Sequence, residues 1–310
     1  MKSKPLILTH ANCTDGCTCA AILYRKYGSQ AVYLAVDHAD LDPIRFPDRY
    51  QQFIDATDYI SKSEIIMADL CLSRDLIDRF LGRNNHITIL DHHASSKPVI
   101  NHYRERLAKE GLPLAIHFSD DNDKCGAMLT WEYVYDSPAP LFVRMVSDMD
   151  RWAFEYGDES KHLYAGLNAG LRQPKDISTE EYESLIFNDF KTQEVIEIGR
   201  PLYRLFADEV QSYAQLAKPV RLGDFEGLWV EAPGHFKSDL GNVLAQKSQT
   251  FGVVVTRKID MVQVSLRSVA PFNVSVLASL YGGAGHPQAA AFRLNDYEDW
   301  LAIANAPVES

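Results

Sequence analysis

The sequence predicts an α/β protein: a parallel-sheet domain in the N-terminal part and a smaller α+β domain at the C-terminal end. Three observations carry this. Short apolar runs at residues 6–9, 31–36, 65–68 and 87–90 are continuous rather than alternating, as in strands buried on both faces of a parallel sheet. Helical patterns separate them, giving βαβ spacing. After Pro219 the texture changes to short strands at 220–222, 228–231, 252–257, 261–267 and 290–294, with helices at 238–248 and 274–280.

In chain order, the 6–9 strand runs into a turn from His10 to Gly16, and a helix is expected from about residue 17 to 27, with Gly28 as its C-cap. After the 31–36 strand, Asp37 and His38 are followed by Asp40, Asp42, Pro43 and Pro47, which suggests a solvated loop. A helix around 74–81 and another at 125–136 are expected to pack on the sheet. The apolar run 141–146 is taken with the strands, because it too ends in acids, Ser147-Asp148-Met149-Asp150. From 178 to 216 the pattern is helical. It opens with the capping-box sequence Ser178-Thr179-Glu180-Glu181 and is expected to break at Gly199-Arg200-Pro201. The division expected is 1–177, a helical connector at 178–217, and 218–310.

At 310 residues the chain is long enough for two cores. A net charge of −11 argues against a broad basic surface for long duplex nucleic acid. Short oligonucleotides or small phosphorylated molecules stay open as partners, as does a homodimer. No stretch approaches the length of a membrane span, and the run after the basic Met1–Pro5 segment is too short for a signal peptide. Five cysteines without a framework spacing fit a reducing, cytoplasmic setting.

Polar groups just past the carboxyl ends of parallel strands land where open α/β sheets bind ligands. His10, Cys13 and Asp15 follow the first strand, Asp69 the third, and Asp91-His92-His93 the central one. Carboxylates and imidazoles arriving together are what a divalent metal centre requires, and the mix suits Mn²⁺, or Mg²⁺ and Co²⁺, better than structural zinc. Cys17 and Cys19 sit two apart with no CxxC partner and are expected, like Cys71 and Cys125, to be buried small residues. Near the C-terminus, Gly282-Gly283-Ala284-Gly285-His286 would let backbone approach an anion, with Arg267 able to fork onto a phosphate. Trp152 and Tyr156 could stack a base, but core packing is the stronger expectation.

Together the His10…Asp15-Gly16 turn, Asp69, Asp91-His92-His93, Asp148 and the Gly282–His286 element resemble the DHH phosphoesterase superfamily, in order and over nearly the whole chain. That superfamily includes RecJ-type exonucleases, family II pyrophosphatases, exopolyphosphatases, nano-RNases and cyclic-dinucleotide phosphodiesterases. The resemblance implies a metal-dependent hydrolase with two ions, Mn²⁺ foremost. Asp69 would bridge them, Asp15, His92 and Asp148 would hold one, and His10 the other. His93 would face the scissile phosphate and Asp91 would orient its neighbours, while Arg267, Gly282, Gly283, Gly285 and His286 would bind substrate phosphate. Asp150 is an alternative ligand or outer support. The sequence departs from the family at Cys13, where an Asp is usual, and the His10–Asp15 distance is one residue shorter than in the pyrophosphatases. The Asn-Cys-x-Asp-Gly form resembles the oligoribonuclease-like branch. The implied reaction is hydrolysis of short oligoribonucleotides or linear dinucleotides to mononucleotides. The alternatives are a phosphoanhydride hydrolase of the exopolyphosphatase or pyrophosphatase type, and a nucleotide-binding regulator that has lost catalysis.

Overall fold

The computed structural model describes residues 4–169 and 174–305; the basic residues 1–3 lie outside them. The chain forms two compact units, Met1–Tyr203 and Arg204–Ser310.

The first unit is built on five parallel strands: β1 (Leu6–His10), β2 (Val32–Val36), β3 (Glu64–Ala68), β4 (His86–Asp91) and β5 (Leu114–Phe118), in the order β2-β1-β3-β4-β5. Helices α1 (Thr14–Tyr27), α2 (Pro47–Thr57), α3 (Arg74–Leu81) and α4 (Lys97–Glu110) make the crossovers. Side chains alternate between faces along each strand. Thus Leu6, Leu8, Ile65, Met67, Ile87 and Ile89 pack with Phe53, Ile77, Phe80 and Tyr103 on one face. Ile7, Ile66, Ala68 and Leu90 pack on the other, against Ile22 of α1 and helices α5 (Gly126–Val134), α6 (Leu141–Asp150) and α8 (Thr179–Ile186). The strand order reverses between β1 and β3, and such switch points open a crevice at the strands' carboxyl ends.

Several elements differ from expectation. The 141–146 run is helical, not a strand. Phe142, Val143, Met145 and Val146 are buried while Arg144 between them is exposed, which is a helical period. The stretch taken as loop around Pro47 contains α2, with Pro47 in its first turn, where a missing N–H costs nothing. Helix α4 and edge strand β5 had no counterpart in the sequence reading. Ser178 caps α8 by accepting from the Glu181 N–H.

Nor does Gly199-Arg200-Pro201 break its helix: α9 runs unbroken from Asp189 to Gln215, with Pro201 inside it. Gly199 serves a different purpose. A Cβ there would lie 1.8 Å from the His162 carbonyl oxygen, and one at Gly166 would lie 2.1 Å from that of Val195. Helix α7 (Glu159–Leu167) therefore crosses α9 backbone to backbone through two glycines.

The second unit is a six-stranded sheet: β6 (Lys218–Leu222), β7 (Phe225–Glu231), β8 (Phe251–Arg257), β9 (Val262–Ser268), β10 (Ala284–His286) and β11 (Ala289–Leu294), ordered β10-β11-β9-β8-β7-β6. Only the β7–β8 pair is parallel, joined through α10 (Lys237–Ser248). Val253, Val264, Leu266 and Phe292 meet α11 (Val274–Ser279) and Trp300 of α12 (Tyr297–Ala304) on one face. Leu240 and Leu244 of α10 cover Val254 on the other.

Gly199→Ala is expected to lower stability by about 1–3 kcal/mol, since a methyl has nowhere to go at the α7–α9 crossing. Urea unfolding should show a lower midpoint at unchanged slope. An unchanged midpoint would mean that the two helices can separate at no cost.

Candidate metal centre

The site forms where β1, β3 and β4 end. The turn after β1 passes through Asn12 (φ 56°), and α1 begins so close to the strand that a Cβ on Gly16 would lie 2.2 Å from the His10 carbonyl oxygen. This close return brings Asp15 into the interior, fully buried. Its carboxylate sits at the start of α5, where Oδ2 accepts from the Gly126 N–H (2.8 Å) and Oδ1 from the Ala127 N–H (2.7 Å) and the Cys125 thiol (2.9 Å). Backbone N–H groups at a helix start favour an anion there. Gly126 is required for a second reason, because a Cβ would lie 2.6 Å from the Cβ of Asp69.

Asp69, just past β3, adopts a left-handed backbone (φ 58°) and is 1% exposed. Neither carboxylate oxygen has a hydrogen-bond partner. Around it stand His10 Nδ1 at 3.5 Å, His92 Nε2 at 3.4 Å and His93 Nδ1 at 3.8 Å. His10 Nδ1 and His92 Nε2 are likewise buried without hydrogen bonds. His92 Nε2 also lies 3.7 Å from Asp15 Oδ2 and 3.3 Å from Asp150 Oδ2. Among the described residues, three groups of side chains bring ligand-type atoms within 4.8 Å of one another: His10, Cys13 and Asp69; Asp69, His92 and His93; Asp15, His92 and Asp150. Buried polar atoms are ordinarily paired, so this cluster of bare oxygens and nitrogens is a donor set that fits a divalent cation. Asp69 is common to two of the groups.

Outer contacts aim these side chains. His92 Nδ1 meets Asn122 Oδ1 at 2.8 Å, which turns Nε2 inward. Asp91 Oδ1 accepts from the backbone N–H of His92 (2.9 Å) and of His93 (3.3 Å) and meets His93 Nδ1 at 2.7 Å.

Asp148, expected to complete the metal shell, belongs to none of these three groups; it is buried, accepting from the N–H of Glu155 (2.6 Å), the N–H of Tyr156 (3.3 Å) and the Ser160 hydroxyl. Asp150 is the acid of α6 that reaches His92. Tyr156 packs against the core, and Trp152 lies edge-on to Phe154 at 4.7 Å. Cys19 and Cys125 are buried in the same core, with Cys17 packed against it, whereas Cys71 lines a cavity of about 180 Å³ with His10, His38, Asp69, Ser73 and His93. His38, whose ring centroid is 5.1 Å from that of His10, was assigned to a solvated loop from the sequence although it follows a strand as His10 does. Asn122 carried no sequence signal at all. The phenol of Tyr164 is pushed well above its ordinary value by burial and then by Asp150, Cys13 and Asp15, which places it in the same field.

In the second unit, Arg267 lies on β9 facing a cavity of about 450 Å³, with Lys237, Thr256, Lys258, Gln263 and Ser265. Its guanidinium donates to the Leu266 carbonyl and the Ser238 hydroxyl, and burial pulls it below its usual range. Strand pairing sets Arg267 opposite Ala289 and Ala289 opposite His286, one row on one face of the sheet. Gly282 takes φ 71°, and a Cβ on Gly283 or Gly285 would strike the β11 backbone, 2.3 Å from Ala291 O or 2.4 Å from Ala290 Cα. Gly283 and Gly285 are thus demanded by close packing on β11, and Gly282 by its backbone conformation.

The charge state follows from crowding. Burial, then Asp69 and Asp150, push Asp15 well above the usual carboxylate range, and Asp150 moves the same way. Burial alone would raise Asp69 too, but His10 and His92 outweigh it and hold that acid ionised. Burial disfavours charge on His92, yet Asp69, Asp150 and Asp15 overcome it and its pKa is pushed up to about 10. A proton on His92 is thus the counter-charge that the protein itself supplies. A metal ligand must be a neutral imidazole.

Two outcomes are expected. Mn²⁺ binding at pH 7 should release protons, and affinity should rise with pH as His92 loses its proton. Titration calorimetry in buffers of different ionisation enthalpy reads the release; its absence would remove His92 from the donor set. Asp150→Asn should weaken Mn²⁺ binding with little loss of stability. Asp148→Ala should instead destabilise by several kcal/mol, by leaving its donors unpaired. The reverse pattern in melting and metal titration would restore Asp148 as the ligand.

No protein-family model matches the chain. The uncharacterized protein R106 of Acanthamoeba polyphaga mimivirus is 23% identical over 311 residues, covering 96% of this chain and 69% of that one. Among solved structures, the pGpG-specific phosphodiesterase PggH from Vibrio cholerae is 14% identical, with 97% of this chain and 96% of that chain covered and a TM-score of 0.54. RecJ from Thermus thermophilus, in complex with Mn²⁺, is also 14% identical and covers 97% of this chain and 51% of that one, at a TM-score of 0.53. At such identities the likeness to PggH and RecJ is one of fold alone; in this chain that fold is a five-stranded parallel sheet and, in a smaller unit, a six-stranded mixed one.

Proposed function

We propose that the chain is a metal-dependent phosphoesterase of the DHH type, hydrolysing the phosphodiester bonds of short oligoribonucleotides or linear dinucleotides to mononucleotides. The observation that carries this reading is the set of bare, buried ligand atoms on Asp69, His10 and His92 at the switch point of the sheet. The fold shared with a phosphodiesterase described as pGpG-specific, and with RecJ in complex with Mn²⁺, supports it.

In this reading His10 and Cys13 would hold one ion, Asp15, His92 and Asp150 would hold the other, and Asp69 would be available to both. Bound divalent ions would polarise a phosphoryl oxygen and lower the pKa of water. The remaining chemistry belongs to side chains. Asp91 fixes the His93 ring through Nδ1 and, against the effect of burial, raises its pKa. His93 can therefore carry a proton on its other ring nitrogen, to donate to a phosphoryl oxygen or to the departing ribose oxygen. Arg267 and His286, in one row of the second sheet, take a terminal phosphate of the substrate. Backbone N–H groups of the Gly282–Gly285 element add to that anion site. A few local charge sites of this kind in a chain of net charge −11 suit a short anionic substrate held at a few points rather than a long duplex.

A Mn²⁺-supplemented panel tests the proposal. Mononucleotides should be released from linear dinucleotides and short RNA faster than phosphate from pyrophosphate or polyphosphate; the opposite order would make it a phosphoanhydride hydrolase, and silence on every substrate would favour a regulator. On a dinucleotide, Arg267→Ala should raise KM without much change in kcat, because a contact made equally in ground and transition states affects binding alone. A charge-assisted contact of roughly 1.5–3 kcal/mol corresponds to a rise on the order of tenfold to a hundredfold. An equal fall in kcat would place the arginine in the chemistry or the fold.

A further inference from the structure

Cys13 stands apart from the other cysteines. Cys19 and Cys125 are buried in the apolar core of the first unit, and Cys17 packs against it. Cys71 packs against the opposite core. Cys13 belongs to no apolar cluster among the described residues. It occupies the N-cap of α1 with an extended backbone (φ −121°, ψ 134°), a position where Ser, Thr, Asp or Asn would accept from the helix, yet its side chain makes no capping bond. No apolar cluster among the described residues accounts for a thiol here.

Its surroundings do. The sulfur lies in one group with ligand atoms of His10 and Asp69, all within 4.8 Å. His10 Nδ1 and both Asp69 oxygens are buried without hydrogen-bond partners, and Asp69 is 1% exposed. The group on the other side of Asp69, made of Asp15, His92 and Asp150, offers only oxygen and nitrogen. The two halves of the centre thus differ in softness.

We infer that Cys13 is a thiolate ligand of the ion next to His10, making that position selective for a borderline or soft cation such as Zn²⁺, Fe²⁺ or Co²⁺ while the Asp15–His92–Asp150 position keeps a hard one such as Mn²⁺ or Mg²⁺. The inference rests on the metal-centre reading above. Soft ligands favour such cations, and first-row affinities rise toward the later metals. On binding, the S–H bond breaks heterolytically, the proton leaves to buffer, and the sulfur lone pair forms the bond to the cation; no electron is transferred. The centre becomes a mixed-metal site, in which two like ions are not its preferred state.

The test uses the full chain, stripped with a chelator and titrated with Co²⁺. A near-ultraviolet thiolate-to-cobalt charge-transfer band should grow with cobalt uptake and remain in Cys17→Ser. It should vanish in Cys13→Ser and in Cys13→Asp, the second of which keeps a ligand and should still bind two ions, with folding checked by circular dichroism. Cobalt bound at both positions without the band, or a band that survives both Cys13 variants, would overturn the thiolate assignment and leave the metal centre standing. No cobalt bound by the unaltered protein would overturn the metal centre itself, and the inference with it.

Discussion

A carboxylate with no hydrogen bonds, Asp69, governs the N-terminal unit. Burying an ionised acid is costly unless positive charge is near. Everything around this residue answers that cost: imidazoles approach from the ends of β1 and β4, and neither of its oxygens is claimed by a protein donor. Its left-handed backbone, tolerated by Asp better than by most residues, turns the chain at the end of β3. That location is where the strand order reverses, so the crevice and the unpaired acid coincide.

The approach needs small residues as much as charged ones. Gly16 lets α1 start against the His10 backbone, and Gly126 lets α5 start against Asp69. Asp15 then bridges the two, carried on the first turn of α1 and bonded to the first N–H groups of α5. The fold and the site are therefore coupled through helix beginnings: moving α5 by the width of a methyl would shift both Asp15 and Asp69.

The sheet and its strand-end groups were legible in the sequence because a buried parallel strand leaves a continuous apolar run and a sharp stop. That ground alone put the Asp91-His92-His93 stretch and Asp69 at strand ends, where β4 and β3 do stop. The choice between Asp148 and Asp150 was not. On a strand, residues two apart point to the same face, so the two acids look interchangeable; on a helix they are separated by about 200° and only one can face the site. Taking 141–146 with the strands, although Arg144 interrupts it, left that choice open. His38 was passed over because the prolines after it suggested a loop, when Pro47 in fact starts a helix. Gly199 signalled helix crossing and not helix breaking, a distinction that depends on a partner far away in sequence. Asn122 has no local signal, since its role exists only through the ring of His92.

What separates the acids is how their oxygens are already used. Asp148 is committed on both oxygens, to two backbone N–H groups and a hydroxyl, whereas Asp91 uses Oδ1 alone, for two backbone N–H groups and an imidazole, and leaves Oδ2 bare. Asp15 is engaged on both oxygens, yet a carboxylate oxygen has lone pairs to spare, and Oδ2 lies 3.7 Å from His92. Asp69 is engaged on neither. An oxygen saturated by protein donors has little left to offer a cation, whereas a bare one buried among imidazoles has no other stabilising partner. Burial and acidity are common to all four residues and so cannot distinguish them. A carboxylate bare on both oxygens is what sets Asp69 apart from Asp15 and Asp148, engaged on both, and from Asp91, engaged on one.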